Sequence, residues 1–223
     1  MLKKDFIICI QARLCSTRLP AKIFLSFFRE LIINRIIRIS KNITNSKNIY
    51  ILSGNKKLNQ SLSVIAKKNK LKIFYGSEKN VHSRFKSFLS NFQKKPKYVI
   101  RVTSDNYLIQ PFLIKKMLKI CKKKDFDYSY VKPLSHYAGE IIKSNLFFKK
   151  KPSSKAKEHV TWDMRSAKDI KIISFPDNFL GINHKKSITL DSIRDFRNLI
   201  KLEHKYKGLK KINCIEEIKK IKL

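Results

Sequence analysis

Hydrophobic residues in this chain arrive in short blocks separated by amphipathic stretches, and that alternation predicts an α/β fold. Phe6–Ile10 is a continuous apolar run of strand length. In Leu31–Ile39, LIINRIIRI, apolar residues recur at helical spacing, with Asn34, Arg35 and Arg38 breaking the run. Asn48–Leu52 predicts a second strand, stopped at Ser53-Gly54. Leu58–Lys68 predicts a helix with Leu58, Leu62, Ile65 and Ala66 on one face. Lys72–Tyr75 predicts a third strand ending at Gly76, and Val81–Phe92 a helix that aligns Phe85, Phe88, Leu89 and Phe92. Tyr98–Val102 is the fourth expected strand. Pro111, well suited to a first helical turn, opens a helix to about Lys123, and Phe126–Val131 is the fifth strand.

Strands alternating with helices predict a mainly parallel sheet with helices on both faces. Ligands of such sheets bind beyond the carboxyl ends of the strands. The loops after Ile10, Leu52, Tyr75 and Val102 are therefore expected on one rim. The second half is less regular. Strands are expected at Ile170–Phe175 and Ser187–Leu190, and a helix from about Ile193 to Tyr206. KKKPSSK, 149–155, is the best candidate for a mobile loop. With 223 residues, no internal repeat and no evident linker, one domain over 1–223 is expected.

Composition narrows the function. No apolar stretch reaches the roughly 18 residues of a membrane span. The apolar run near the N-terminus leads into an arginine-rich loop rather than a small-residue cleavage site, so it reads as a buried first strand. Cys9, Cys15, Cys121 and Cys214 form no CxxC pair, which argues against zinc and disulfide frameworks and for free thiols in a reducing cytoplasm. Lys and Arg total 51 against 16 Asp and Glu, for a net charge of +35. The lysines are spread along the chain rather than gathered in a tail. A solvated basic surface is the first reading, attraction to anionic substrates or membrane surfaces the second, and a nucleic-acid footprint the least favoured.

The loop after the first strand, QARLCSTRLPAK (11–22), interrupts two core-like runs with cations, hydroxyls and a proline. It has no glycine and is not a Walker motif. It offers Arg13, Ser16, Thr17, Arg18 and Lys22, which suit a polyanion such as a triphosphate; a solvated loop with chance cations is the alternative. Asp105, in RVTSDNYLIQP, stands at a strand end in a chain poor in acids. Asp191, in SITLDSIRDF, stands at another strand end before a helix. Two such carboxylates could hold one Mg²⁺. Alternatively, Asp105 forms a turn and Asp191 caps the helix with Ser192 and Asp195 nearby. EHVTWD groups Glu158, His159 and Asp163, whose His and Glu could form a metal or acid–base site, though without the HExxH spacing of a zinc peptidase; a packing or interface helix anchored by Trp162 is the favoured alternative.

Taken in order, IQARLCSTRLPAK, GSEKNVHSRF, RVTSDNYLIQP, EHVTWD and ITLDSIRDF resemble the cytidylyltransferases of surface-polysaccharide synthesis, the spore-coat type, related to manno-octulosonate and acylneuraminate cytidylyltransferases. The resemblance spans roughly residues 5–206. It implies a three-layer α/β nucleotide-diphospho-sugar transferase fold, Rossmann-like, with a mainly parallel sheet. It implies transfer of CMP from CTP to a sugar hydroxyl with Mg²⁺, releasing pyrophosphate, in a cytoplasmic homodimer. Arg13, Ser16, Arg18, Lys22 and Arg101 would bind the nucleotide. Arg13, Lys22 and Asp105 would serve catalysis, and Asp105 and Asp191 the metal. Glu158–Thr161 would lie near the sugar site and the dimer contact. Ala21 stands where glycine is usual, Asn106-Tyr107 where Cys-Pro is frequent, and the shortened stretch 136–143 leaves Gly139 and Glu140 as matches to the acceptor-sugar segment. A glycosyltransferase of related fold and a non-catalytic basic nucleic-acid-binding protein are the rival readings. The dense cation loop disfavours the first, and the strand-end aspartates disfavour the second.

Overall fold

The computed structural model describes residues 5–132, 137–176 and 189–205. The main sheet is built from β1 (Phe6–Gln11), β4 (Ile49–Ser53), β5 (Lys72–Tyr75), β6 (Tyr98–Thr103), β7 (Tyr128–Lys132), β8 (Glu140–Lys143) and β9 (Ile172–Pro176). A small antiparallel hairpin, β2 (Ser26–Phe27) with β3 (Glu30–Leu31), follows the loop after β1. The strand order is β5-β4-β1-β6-β8-β7-β9. Only β8 runs against its neighbours; the other strands of this sheet share one direction. The expected α/β architecture with a mainly parallel sheet is the observed one.

Successive side chains of a strand point to opposite faces, and the core divides accordingly. Ile8 and Ile10 of β1 face a layer containing α1 (Ile32–Lys41), α3 (Leu62–Lys68), α5 (Pro111–Lys124) and α9 (Ile193–Lys205). Ile7 and Cys9 face the other layer, where α4 (Val81–Ser90) contributes Phe85, Phe88 and Leu89 and α6 (Leu146–Lys149) contributes Phe147. The central strands are buried on both sides, which explains why they read as unbroken apolar runs.

The structure departs from the sequence reading in several places. The helix expected over 58–68 is two helices, α2 (Lys56–Asn59) and α3, and Leu58 is exposed rather than on the buried face. Gln60 and Ser61 separate them, and Asn59 turns inward to a polar task described below. β8 was not anticipated as a strand: EIIK is too short for a periodicity signal, and it inserts antiparallel between β6 and β7. The segment KKKPSSK is tied into structure at its second half. Ser153 caps α7 (Ser154–Glu158) by accepting from the Ala156 N–H, and donates its own hydroxyl to Asp163 over 2.6 Å. The strand expected at Ser187–Leu190 lies partly outside the described residues, and Thr189 and Leu190 belong to no strand. The expected helix at 193–206 is α9, with Tyr206 outside the described residues.

Candidate active site

The rim forms through specific backbone bonds. Gln11 pairs in register with Thr103 and with Leu52, so β1, β4 and β6 end together. Beyond them, the Ala12 N–H donates to the Leu52 carbonyl over 3.1 Å, Ser104 to Gln11 over 3.0 Å, and Gly76 to Ser53 over 3.0 Å.

The cation loop closes on itself: the Ala21 N–H donates to the Leu14 carbonyl over 2.9 Å. Ala21 takes φ 51°, the left-handed region that favours glycine, and leads into a short 3₁₀ turn at Lys22–Phe24. The loop is held from below by Asn59, a residue that sequence reasoning missed. Fully buried, Asn59 accepts the Leu14 N–H over 2.8 Å and donates to the Asn55 carbonyl and to Glu78 Oε2, each over 2.9 Å. Glu78 in turn accepts the Asn55 N–H over 2.8 Å. An Asn beside a helix end carries no distinctive pattern; the acid of GSEKN in an acid-poor chain was the available signal.

Lys22 is the centre of the site. Its side chain is 11% exposed, and its Nζ donates to Asp105 Oδ2 over 2.8 Å and to Asp191 Oδ1 over 2.7 Å. The two aspartates, 83 and 169 positions from Lys22 in sequence, thus share one ammonium. Arg18 approaches Asp191 at 3.6 Å from the solvent side. Burial tends to raise the Asp191 carboxyl, but Lys22, Arg18 and Thr189 together hold it below the ordinary aspartate value. Helix capping falls to its neighbours. Ser192 and Asp195 form a reciprocal box, the Ser192 N–H donating to Asp195 Oδ2 over 2.8 Å and the Asp195 N–H to Ser192 Oγ over 3.3 Å. The Asp191 side chain is left to face Lys22.

A cleft of about 400 Å³ gathers Arg13, Ser16, Thr17, Arg18, Lys22, Arg101, Asp105 and Asp191, so the nucleotide, catalytic and metal candidates taken from the sequence line one cavity. Glu158 and His159 line it too, and Glu158 lies 3.7 Å from Arg13. Four cations thereby face three carboxylates, a balance that leaves the cleft receptive to an anion. Glu140 does not join them. It is 2% exposed, lies beneath the rim, and accepts hydrogen bonds from Tyr128, Thr161 and Arg165. Its match to an acceptor-sugar contact is therefore corrected: this carboxylate is consumed by internal partners. Among the described residues, no cluster of three or more His, Cys, Asp or Glu side chains could hold a metal. Asp105 and Asp191 offer two hard oxygen donors already arranged around a cation, a set that fits an ion taking its remaining oxygens from water and phosphate.

The family model for cytidylyltransferases matches residues 7–216. The chain belongs to the cytidylyltransferase family. It is a CTP-dependent nucleotidyltransferase. The chain is 26% identical over 214 residues to the spore coat polysaccharide biosynthesis protein SpsF of Bacillus subtilis (strain 168), covering 90% of this cytidylyltransferase and 87% of that protein. Its fold superimposes on a cytidylyltransferase from Leptospira borgpetersenii serovar Hardjo-bovis (strain JB197) with a TM-score of 0.81, at 21% identity over 96% of this chain and 93% of that one. A CMP:2-keto-3-deoxy-manno-octonic acid synthetase complexed with CTP shares the fold at a TM-score of 0.64 and 12% identity, over 90% and 98% of the two chains. Among the described residues, no helix is long and apolar enough to cross a membrane.

Proposed function

We propose that this cytidylyltransferase activates a sugar acid with CTP, forming a CMP-sugar and pyrophosphate for surface-polysaccharide synthesis. The observation that carries the reading is the pair Asp105 and Asp191, drawn together around one ammonium in a cation-lined cleft. The similarity to a spore coat polysaccharide protein, and to the fold of a synthetase whose substrate is a sugar acid, supports the choice of acceptor.

Arg13, Ser16 and Arg18 hold the triphosphate, with Lys22 and Arg101 lining the same cavity. The sugar hydroxyl attacks the α-phosphorus in line. A new oxygen–phosphorus bond forms, the bond to the β-phosphate oxygen breaks, and pyrophosphate leaves with the electron pair while the hydroxyl proton passes to water. Arg13 and Lys22 stabilise the charge that gathers on the leaving group. A divalent cation, Mg²⁺ in this reading, would be held by Asp105 and Asp191 and would supply charge neutralisation and orientation at the phosphate. The protein works as a homodimer joined near Glu158–Trp162, where Trp162 is half exposed with Lys155 Nζ 4.8 Å from its ring centroid.

The test mixes the protein with CTP, Mg²⁺ and a panel of sugar acids and follows pyrophosphate. Release that requires both CTP and an acceptor is expected. A protein that consumes nucleotide sugars instead, with no pyrophosphate from CTP, would overturn the reading in favour of a glycosyltransferase.

A further inference from the structure

We propose that Glu140 is a positioning residue: from beneath the rim it fixes the guanidinium of Arg101 for the nucleotide, resting on the function proposed above. β8 places Glu140 in register opposite Arg101 of β6. That approach depends on the residue before it. A Cβ on Gly139 would lie 2.7 Å from the Arg101 carbonyl oxygen and 3.2 Å from the side chains of Ile100 and Val102, so only glycine lets β8 start this close to β6.

Arg101 is gripped on two edges. Its Nε donates to Gln11 Oε1 over 2.9 Å, and its Nη1 donates to Glu140 Oε2. Gln11 ends β1 where the cation loop begins, and both Gln11 and Arg101 line the cleft. Glu140 has no surface there. Its other oxygen, Oε1, accepts the Tyr128 hydroxyl over 2.6 Å, the Thr161 hydroxyl over 2.8 Å and Arg165 Nη2 over 3.0 Å. Arg165 Nη2 also lies 3.3 Å from Thr161 Oγ1. One buried carboxylate therefore separates two guanidiniums and ties β6, β7 and the turn into α8 (Trp162–Arg165) to a single point.

The arrangement has a chemical consequence. A guanidinium delivers a forked set of donors only when its plane is fixed. Without the carboxylate, Arg101 and Arg165 face each other uncompensated, and among the described residues the hydrogen-bond support left for Arg101 is the neutral Gln11. A glutamine at 140 would keep an amide oxygen for Tyr128, Thr161 and Arg165 while turning its NH₂ donor towards Arg101. The fold keeps most of its bonds, and the fork loses its anchor.

The experiment compares wild type, Glu140→Gln, Arg101→Met, the double variant and Tyr128→Phe, by CTP binding in titration calorimetry and by KM and kcat. Glu140→Gln is expected to weaken CTP binding about tenfold, with KM for CTP rising more than kcat falls. In the Arg101→Met background the same change should add less than about twofold, because its route runs through Arg101. Tyr128→Phe loses a bond to the same carboxylate and should lower thermal stability while leaving CTP affinity within about twofold. If Glu140→Gln does not fold, Glu140→Asp keeps the charge, draws it away from Arg101 and serves in its place, with a smaller loss in the same direction. Unchanged CTP affinity in a folded Glu140 variant, or losses that simply add in the double variant, would overturn the proposal. A wild-type protein that binds no CTP would instead sink the functional reading itself.

Discussion

The backbone N–H of Leu190 donates to the carbonyl oxygen of Asp105 over 3.2 Å. This one bond fastens the segment before α9 to the turn after β6 and sets Asp191 beside Asp105. Two carboxylates so placed would repel, and Lys22 resolves the conflict by donating to both. Its ammonium donates to both carboxylates, so a divalent cation held by the same pair would compete with Lys22 for them.

Removing that ammonium should therefore cost stability and favour metal at once. Lys22→Met is expected to lose about 2 kcal/mol at neutral pH, because it strands two carboxylates that are only partly exposed. Mg²⁺ should then raise the melting temperature of Lys22→Met more than that of wild type, and EDTA should reverse the gain. CTP turnover should fall far more than in Lys57→Ala, which removes a cation from an exposed stretch. Equal responses to Mg²⁺ in the two proteins would mean that Lys22 does not compete for the site.

Asp105→Asn and Asp191→Asn should each abolish pyrophosphate release, a fall of at least a hundredfold, while circular dichroism stays native. The fold is expected to persist because α9 is capped by Ser192 and Asp195 rather than by Asp191. An Asp105→Asn protein with unchanged turnover would remove the aspartate from the mechanism.

The parallel half of the fold was legible because strands buried on both faces leave near-continuous apolar runs, as Phe6–Ile10 does on β1 and Asn48–Leu52 on β4. The antiparallel strand β8 was not. β8 has four residues, and its direction is set by contacts with β6 and β7 that no local pattern encodes. The candidate site divides in the same way. Asp105, Asp191 and the cations stand out as charges at strand ends and loops. Asn59, Gln11 and Glu140 act through hydrogen bonds to groups remote in sequence, and a lone polar residue in a short element gives no sign of that work.

Ala21 offers a test of strain in the cation loop. At φ 51° an alanine carries a cost of roughly 1 kcal/mol that glycine avoids, offset in part by the greater freedom of glycine in the unfolded chain. Ala21→Gly should raise unfolding free energy by about 0.5 kcal/mol and leave CTP affinity unchanged within about twofold. A clear loss of stability would show that the loop depends on the alanine methyl group.

The proposed dimer predicts that Trp162→Ala, which removes a 46% exposed aromatic ring beside the cleft segment, weakens self-association at least tenfold. Light scattering over a concentration series would measure it. A wild-type monomer at micromolar concentration, with and without CTP, would dispose of the dimer.

Glu140 gives a pH signature with a definite sign. Burial alone would raise its carboxyl, yet Arg101 and Arg165, with hydrogen bonds from Tyr128 and Thr161, hold it at about 2. The groups facing it are Arg101 from β6, Tyr128 from β7, and Thr161 and Arg165 at the start and end of α8. Neither arginine changes charge in the acid range, so Glu140 alone titrates within the cluster. A carboxyl depressed in the folded state contributes stability that is fully present above its ordinary value near 4.5 and is lost as pH falls towards about 2. The gap in unfolding free energy between wild type and Glu140→Gln should therefore be widest above pH 5, on the order of 3 kcal/mol, and should close steadily below pH 4. Urea titrations at pH 3 to 7 on the two proteins give the gap directly, and contributions from other carboxylates cancel in the difference. A gap that stays constant across that range would mean that the Glu140 charge contributes nothing to holding this cluster together.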